Sequence, residues 1–414
     1  MPIWIRGIGA KNMRMTPERE DRFAFGLWTI GNLGRDAFGE ATREVIDPSE
    51  FVRRLSDIGA WGVSFHDDDL MSAGASESVR RGELDRFKKT LEETGIVCSM
   101  ATTNLFWHPV FKDGAFTSND RNIRRYAIQK TIRNIDVAAE LGAPTYVLWG
   151  GREGVETPAS KEPAVALDRY KEALDFLCSY VAEKGYKIKF AIEPKPNEPR
   201  GDAFLPTVGH ALAFINELEI PEMVGLNPEV AHETMAGLSF FQAVAQTLWS
   251  EKLFHIDLND QKIGRFDQDL RFGSEGLKDD FMLVRLLESS TYAGPKHFDA
   301  RPYRNVRGEG IWTFAESCMR NYLILADKAK EFNENAAVKA AMEKAKVFEL
   351  EQPTVGGYTD KALNSLMDTQ FDIDSLAKQN FANDELDQLI IDQIFGVCVT
   401  AKIGTLLTCY GKLG

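Results

Sequence analysis

The chain has 414 residues, 44% of them hydrophobic and 27% charged, and a formal net charge of −13. This balance suits a well-filled core and divalent cations as partners, and it argues against nucleic acid or an anionic membrane, which require basic clusters. The five cysteines, Cys98, Cys178, Cys318, Cys398 and Cys409, lack CxxC spacing, so neither a disulfide framework nor a zinc knuckle is expected.

The opening MPIWIRGIGAKNMRM is too short and interrupted for a signal peptide, so a cytoplasmic protein with an N-terminal extension over 1–20 is expected. Strand-like segments follow at 23–30, 62–69, 96–104, 144–151, 187–195, 223–230, 253–260 and 295–300. Between them lie segments such as PSEFVRRLSDIGA and NIRRYAIQKTIRNIDVAAELGA, whose apolar spacings of three and four and terminal Gly predict helices. Eight such strand-helix units predict an α/β fold, a (β/α)₈ TIM barrel over 21–330, although an open doubly wound sheet has similar local patterns. The barrel is favoured because uncommon residues gather at the strands' C-terminal ends: Trp28, His66 with Asp69, Thr102, Trp149, Glu193 with Lys195, Glu229, Asp257 and Asp299. A barrel brings all these ends round one mouth. Beyond residue 330, NENAAVKAAMEKAKVFELEQ and LDQLIIDQIFGV predict a C-terminal helical arm over 331–414, whose apolar face a neighbouring subunit would bury. Asp392, Gln393 and Lys402 interrupt its last apolar run, so no bilayer span is expected.

The stretch FAIEPKPNEPRGD carries the first chemistry. Glu193 and Lys195 are two apart on a strand, which puts a carboxylate and an ammonium on one face, and Pro194, Pro196 and Pro199 keep the following backbone extended. A surface salt bridge is the plain alternative. The other strand ends weigh against it: Glu193, Glu229, Asp257, Asp267, Asp269 and Asp299, with His232 as the one nitrogen, would repel in one mouth unless cations neutralised them. Hard divalent ions prefer carboxylate oxygen and tolerate imidazole, so two are expected, Mg²⁺ foremost and Mn²⁺ or Co²⁺ otherwise, with Glu229 placed to bridge them. His66 followed by Asp69 can have one ring nitrogen fixed by the carboxylate and the other left to handle a proton. Trp28, Phe106 and Trp149 offer flat apolar walls suited to a small carbohydrate, or else belong to the core. His255 and His297 are expected to share the face of the acidic residues that follow them, one layer deeper, in a structural role.

These residues sit in FGLWT, FHDDDL, MATTNLF, HPVFKDG, WGGREG, FAIEPKPNEPRGD, NPEVAHE, KLFHIDLN, DQDLRFG and CMRNYLIL. In that order, from about Arg22 to about Leu389, the chain resembles the shorter, actinobacterial-type xylose (glucose) isomerases. The resemblance implies that Glu193, Glu229, Asp257 and Asp299 hold a first metal and Glu229, His232, Asp267 and Asp269 a second. It implies that His66, oriented by Asp69, opens the sugar ring, that Lys195 steadies the carbonyl oxygen, and that Trp28 and Trp149 wall the hydride path. Thr102 and Phe106 are expected to line the substrate, and the resemblance implies that Phe38 would reach into a neighbouring subunit's site of a homotetramer. The implied activity interconverts D-xylose with D-xylulose, and D-glucose with D-fructose. Asn32, Trp107, Ala300 and Arg301 depart from the family's usual residues at the pocket. Three other readings remain: an epimerase or isomerase of another sugar on the same barrel, a metal-dependent nuclease, against which the low histidine content and acidic charge weigh, and a silent sugar-binding module.

Overall fold

The computed structural model describes residues 14–71, 74–348 and 354–397. Residues 1–13 of the expected N-terminal extension, the end of the arm beyond 397, and Cys398 and Cys409 lie outside them. Two compact units divide between Ile324 and Leu325.

The first unit is built on a parallel sheet of seven strands. These are β1 (Phe23–Gly26), β2 (Gly62–His66), β3 (Val97–Thr102), β4 (Thr145–Trp149), β6 (Lys189–Glu193), β8 (Val224–Leu226) and β9 (Lys296–Phe298). They run in the order β8-β6-β4-β3-β2-β1-β9, with every helix of the unit serving as a crossover or following it. The sheet is curled. Its two edge strands approach the same segment, 253–258, which bridges Leu226 and Glu229 on one side and His297 on the other.

That segment departs from the expected strand over 253–260, because it makes single bridges and no continuous ladder. The cause lies in its neighbour. Pro228 has no N–H to donate, and the Leu226 carbonyl accepts from both Phe254 and His255, so the regular alternation of ladder bonds is lost there.

Helices cover the sheet's outer face, and their ends follow local rules. Helix α1 (Pro48–Asp57) opens on Asp47, whose carboxylate accepts from Ser49 and Glu50, with Pro48 at the first position. Helix α2 (Asp67–Leu70) is a single turn capped by His66. Helix α3 (Glu77–Thr94) ends at Gly95 in a left-handed conformation that glycine adopts without cost. Helices α4 (Arg121–Glu140) and α5 (Pro163–Lys184) follow the third and fourth strands. The core between sheet and helices is aromatic: Phe23, Phe25, Phe65, Tyr146, Phe190 and Phe298 are fully buried, and the Phe25 and Phe298 rings stack at 5.2 Å. Inside the curl, Met100, Val147 and Ala191 form a cluster against which Trp28 and Phe254 pack.

A two-stranded antiparallel pair, β5 (Gly154–Val155) with β7 (Asp202–Ala203), ties the segment after β4 to the one after β6. Helices α6 (Val208–Ile215), α7 (Val230–Met235), α8 (Phe240–Trp249), α9 (Leu277–Glu288) and α10 (Glu309–Glu334) complete the order to the unit boundary and beyond it. The second unit continues with α11 (Ala336–Lys344), α12 (Asp360–Asp368), α13 (Ile373–Ala377) and α14 (Asn383–Phe395). There Lys344 pairs with Glu385 at 3.0 Å, tying α11 to α14, while Leu366, Met367, Phe371, Ile373 and Leu376 are exposed. Among the described residues no helix is long and apolar enough to cross a membrane.

Candidate metal and substrate site

Strand register sets the site. His66 at the end of β2 pairs with Thr102 at the end of β3, and Trp149 at the end of β4 pairs with Glu193 at the end of β6. Glu229 bridges Asp257, and Asp257 bridges His297, so the remaining acidic ends meet at the same level. In a parallel sheet the C-terminal ends share one edge, which turns residues far apart in sequence into neighbours.

The carboxylates converge on Glu229. Its ligand atoms lie within 4.8 Å of those of three sets: Glu193 with His232, Asp267 with Asp269, and Asp257 with Asp299. His232 Nδ1 donates to the Pro194 carbonyl at 3.0 Å, which leaves Nε2 facing Glu229 Oε2 and Asp267 Oδ2, each at 3.4 Å. Asp269 turns inward through a left-handed backbone, φ +48°, unusual for a residue with a Cβ. Arg301 holds that turn, donating its N–H to the Asp269 carbonyl and Nη2 to the Asp267 carbonyl at 2.9 Å each, with Nε 3.3 Å from Asp269 Oδ2.

The electrostatics follow from packing. Burial, then the charges of Asp257 and Asp299, pushes Glu193 well above the usual carboxylate range, and burial with Asp267 does the same to Glu229 and Asp269. Asp299 is pushed up to about 6 by burial and then by Asp257. Asp267 goes the other way: burial alone would raise it, but the Lys195 ammonium, with His232, holds it well below that range. Lys195 Nζ lies 2.6 Å from Asp267 Oδ2 and 5.3 Å from the Trp149 ring centroid. Burial opposes its charge, yet Asp267, with Glu229 and Asp269, outweighs burial and raises its pKa.

His66 stands across the mouth. Asp69 Oδ2 accepts from the His66 backbone N–H at 2.9 Å and lies 2.8 Å from its Nδ1, within one helical turn. Burial would lower this imidazole's pKa, but the Asp69 charge and hydrogen bond raise it. Trp28 packs edge-on against His66 at 4.4 Å, and its indole N–H points at both oxygens of Asp299 at 3.0 Å. Phe106 meets His66 at 5.6 Å and Trp149 at 4.6 Å, both edge-on, so the three aromatics and the imidazole form one wall. Thr102, the register partner of His66, is buried. Phe38 is not part of this assembly within one chain; it projects from the Asp36–Gly39 turn with a relative exposure of 101%.

Residues that the sequence reading passed over brace the carboxylates. Buried Asn227 and Asn259 each offer one carboxamide to two of them. His297, expected on this face from the sequence, joins them, with Nδ1 2.5 Å from Asp257 Oδ1 and Nε2 2.6 Å from Ser64 Oγ. The signal was periodicity: Asn227 and Asn259 each stand two positions from a ligand, which on extended backbone means the same face.

This donor set fits hard divalent cations, carboxylate oxygens with one imidazole and no thiolate. Asp267 Oδ1 adds a specific sign, being buried without a hydrogen-bond partner while Oδ2 is engaged by Lys195.

Residues 52–320 match the family model described as xylose isomerase-like TIM barrel. The fold is similar to that of a 3-keto-D-glucoside 4-epimerase from E. coli, at 18% identity over 72% of this chain and 97% of that one, with a TM-score of 0.52. It is also similar to a D-tagatose 3-epimerase-like protein, at 15% identity over 74% and 98%, TM-score 0.55. A xylose isomerase domain protein from Alicyclobacillus acidocaldarius aligns at 14% identity over 74% and 98%, TM-score 0.54.

Proposed function

The chain belongs to the xylose isomerase-like TIM barrel family, and from that premise we propose that it is a sugar isomerase, interconverting D-xylose with D-xylulose and D-glucose with D-fructose. The observation that carries this reading is Glu229, shared by three cation-competent clusters on the rim that also holds Lys195 and the His66–Asp69 pair. The eight strand positions are read as one closed barrel, with 253–258 as the eighth position. That the structural neighbours include sugar epimerases supports the substrate class.

Glu193, Glu229, Asp257 and Asp299 would hold one cation, and Glu229, His232, Asp267 and Asp269 another, Mg²⁺ foremost. When bound, such ions supply polarisation of two neighbouring sugar oxygens. The chain's residues do the rest. His66, its Nδ1 fixed by Asp69, exchanges a proton at the ring oxygen through Nε2, so that the cyclic sugar opens. Lys195 donates a hydrogen bond to the oxygen that gains negative charge. Trp28, Phe106 and Trp149 keep water from the carbons while hydrogen passes with its electron pair from C2 to C1 and the O2 proton passes to O1.

The exposed apolar residues of α12 and α13, and Phe38, support a homotetramer in which copies of this chain cover them. The catalytic unit is read as 21–330 and the arm as 331–414.

One experiment separates this reading from an epimerase. Xylose deuterated at C2 is incubated with the metal-loaded protein in ordinary water. Ketose that retains the deuterium at C1 supports hydride transfer. Loss of the label to solvent, or a product epimeric at one carbon, overturns it.

A further inference from the structure

Two fully buried asparagines stand among the carboxylates with different partners. Asn227 Nδ2 donates to Glu193 Oε2 at 3.0 Å and to Asp257 Oδ2 at 2.6 Å, and its Oδ1 faces His255 Nδ1 at 2.8 Å. Asn259 Nδ2 lies 2.7 Å from Glu229 Oε1, 3.3 Å from Asp269 Oδ1 and 2.9 Å from the Asp299 carbonyl. Its Oδ1 accepts the Ala231 N–H at 2.9 Å, which ties the carboxamide to the start of α7. An amide nitrogen only donates, so each contact to a carboxylate favours its charged form and fixes one of its oxygens, and the two N–H bonds of Asn259 are shared among three acceptors, with Glu229 Oε1 the nearest.

The partners sort by cation position. Both carboxylates on Asn227 belong to the position formed by Glu193, Glu229, Asp257 and Asp299. Asn259 holds the shared Glu229 and, with the same nitrogen, Asp269 of the other position. We propose that Asn259 is a positioning residue that couples the two cation positions, whereas Asn227 braces the first alone. Its carboxamide is anchored at its oxygen, so an ion that fixes Glu229 also fixes the nitrogen against which Asp269 is set. The second ion then meets a ligand already ordered, and the two affinities help each other. This rests on the two-cation reading above.

The test is isothermal titration of metal-stripped protein with Mn²⁺, with Asp267→Asn used to remove the second position. In the wild-type background that removal should lower first-position affinity, and in an Asn259→Ala background it should cost nothing further. Asn259→Ala itself should weaken both binding events about 10–100-fold, and Asn227→Ala only the first by that factor. Asn259→Leu keeps the side chain's size, adds no charge and removes the donor, so it should abolish the coupling as well; it decides the matter if the alanine variant fails to fold by near-ultraviolet circular dichroism. Equal costs of Asp267→Asn in the wild-type and Asn259 backgrounds overturn the coupling alone. A wild-type chain that binds fewer than two ions overturns the two-cation reading and the coupling with it.

Discussion

Lys195→Met is the substitution that most sharply separates chemistry from architecture at this site. Methionine keeps most of the side chain's length and removes the donor. Lys195 is buried, with Nζ 2.6 Å from Asp267 Oδ2 and 3.7 Å from Glu198 Oε2, so little solvent screens the loss. If Lys195 donates to the oxygen that becomes negative, kcat/KM should fall by about two to three powers of ten, the range for one preorganised oxyanion donor. The metal-free fold should also weaken by about 1.5–3 kcal/mol, since Asp267 loses a charge-assisted bond. A divalent ion can replace that lost positive charge, so second-position affinity should hold or rise. The assays are initial rates on xylose across metal concentration, Mn²⁺ titration, and urea unfolding with and without Mg²⁺. A variant that loses the second ion together with its activity, and regains the activity at high metal, would refute the reasoning and make Lys195 a structural counter-ion of Asp267.

Glu229→Gln should release both ions and abolish turnover, while Asp267→Asn should weaken chiefly one binding event; two unaltered events in the Glu229 variant, measured by calorimetry, would remove it as the bridge. His66→Asn should slow isomerisation of xylose far more than that of a three-carbon aldose that cannot close a ring, and equal losses on both would show another role. Asp299 is held up to about 6, so in the metal-free fold it keeps a proton that the unfolded chain releases near pH 3.9. That contribution is complete below the unfolded value and is lost as pH rises through about 6. Asp299→Asn should therefore gain about 2 kcal/mol on the wild type between pH 4, where the unfolded carboxyl is already about half ionised, and pH 8 in metal-free urea unfolding, and a difference that stays constant with pH would contradict the assignment.

Periodicity carried most of the fold. Alternating, β-branched runs bounded by turn residues mark Gly62–His66 and Lys189–Glu193, and Gly95 and Gly185 mark helix ends that the backbone bears out with positive φ. Residues 253–260 read as a strand because side-chain pattern says nothing of the neighbour's hydrogen bonds, and Pro228 is what interrupts them. The pairing of β5 with β7 was invisible, since two residues on each side leave no pattern to read. At the site, acidic residues at strand ends were legible one by one, because position on a strand decides which edge a side chain reaches. What each one touches was not. Lys195 meets Asp267 from 72 positions away, and Arg301 shapes a loop that begins 34 positions before it. Local spacing holds no information about such contacts.

The two halves of the site differ in what surrounds their carboxylates, and this bears on how each would take up a cation. Around Glu193, Asp257 and Asp299 the close partners are neutral donors or weak ones: the Asn227 carboxamide, the Trp28 indole, and His297, whose imidazole burial holds down to about 4 and therefore neutral. Negative charge there is oriented and left uncompensated, which is why burial and mutual repulsion push these groups up. Around Asp267 and Asp269 the partners are Lys195 and Arg301, full positive charges at 2.6 and 3.3 Å. An ion entering the first half competes with protons, so its affinity should climb steeply with pH as the raised carboxyls ionise. An ion entering the second half meets Asp267, which Lys195 already keeps ionised, so that ligand's contribution should respond to Lys195 more than to pH, while Asp269 and the shared Glu229, both held up by burial, still exchange protons for the ion. The polarity of the bracing residues, more than the number of carboxylates, thus sets the character of each position.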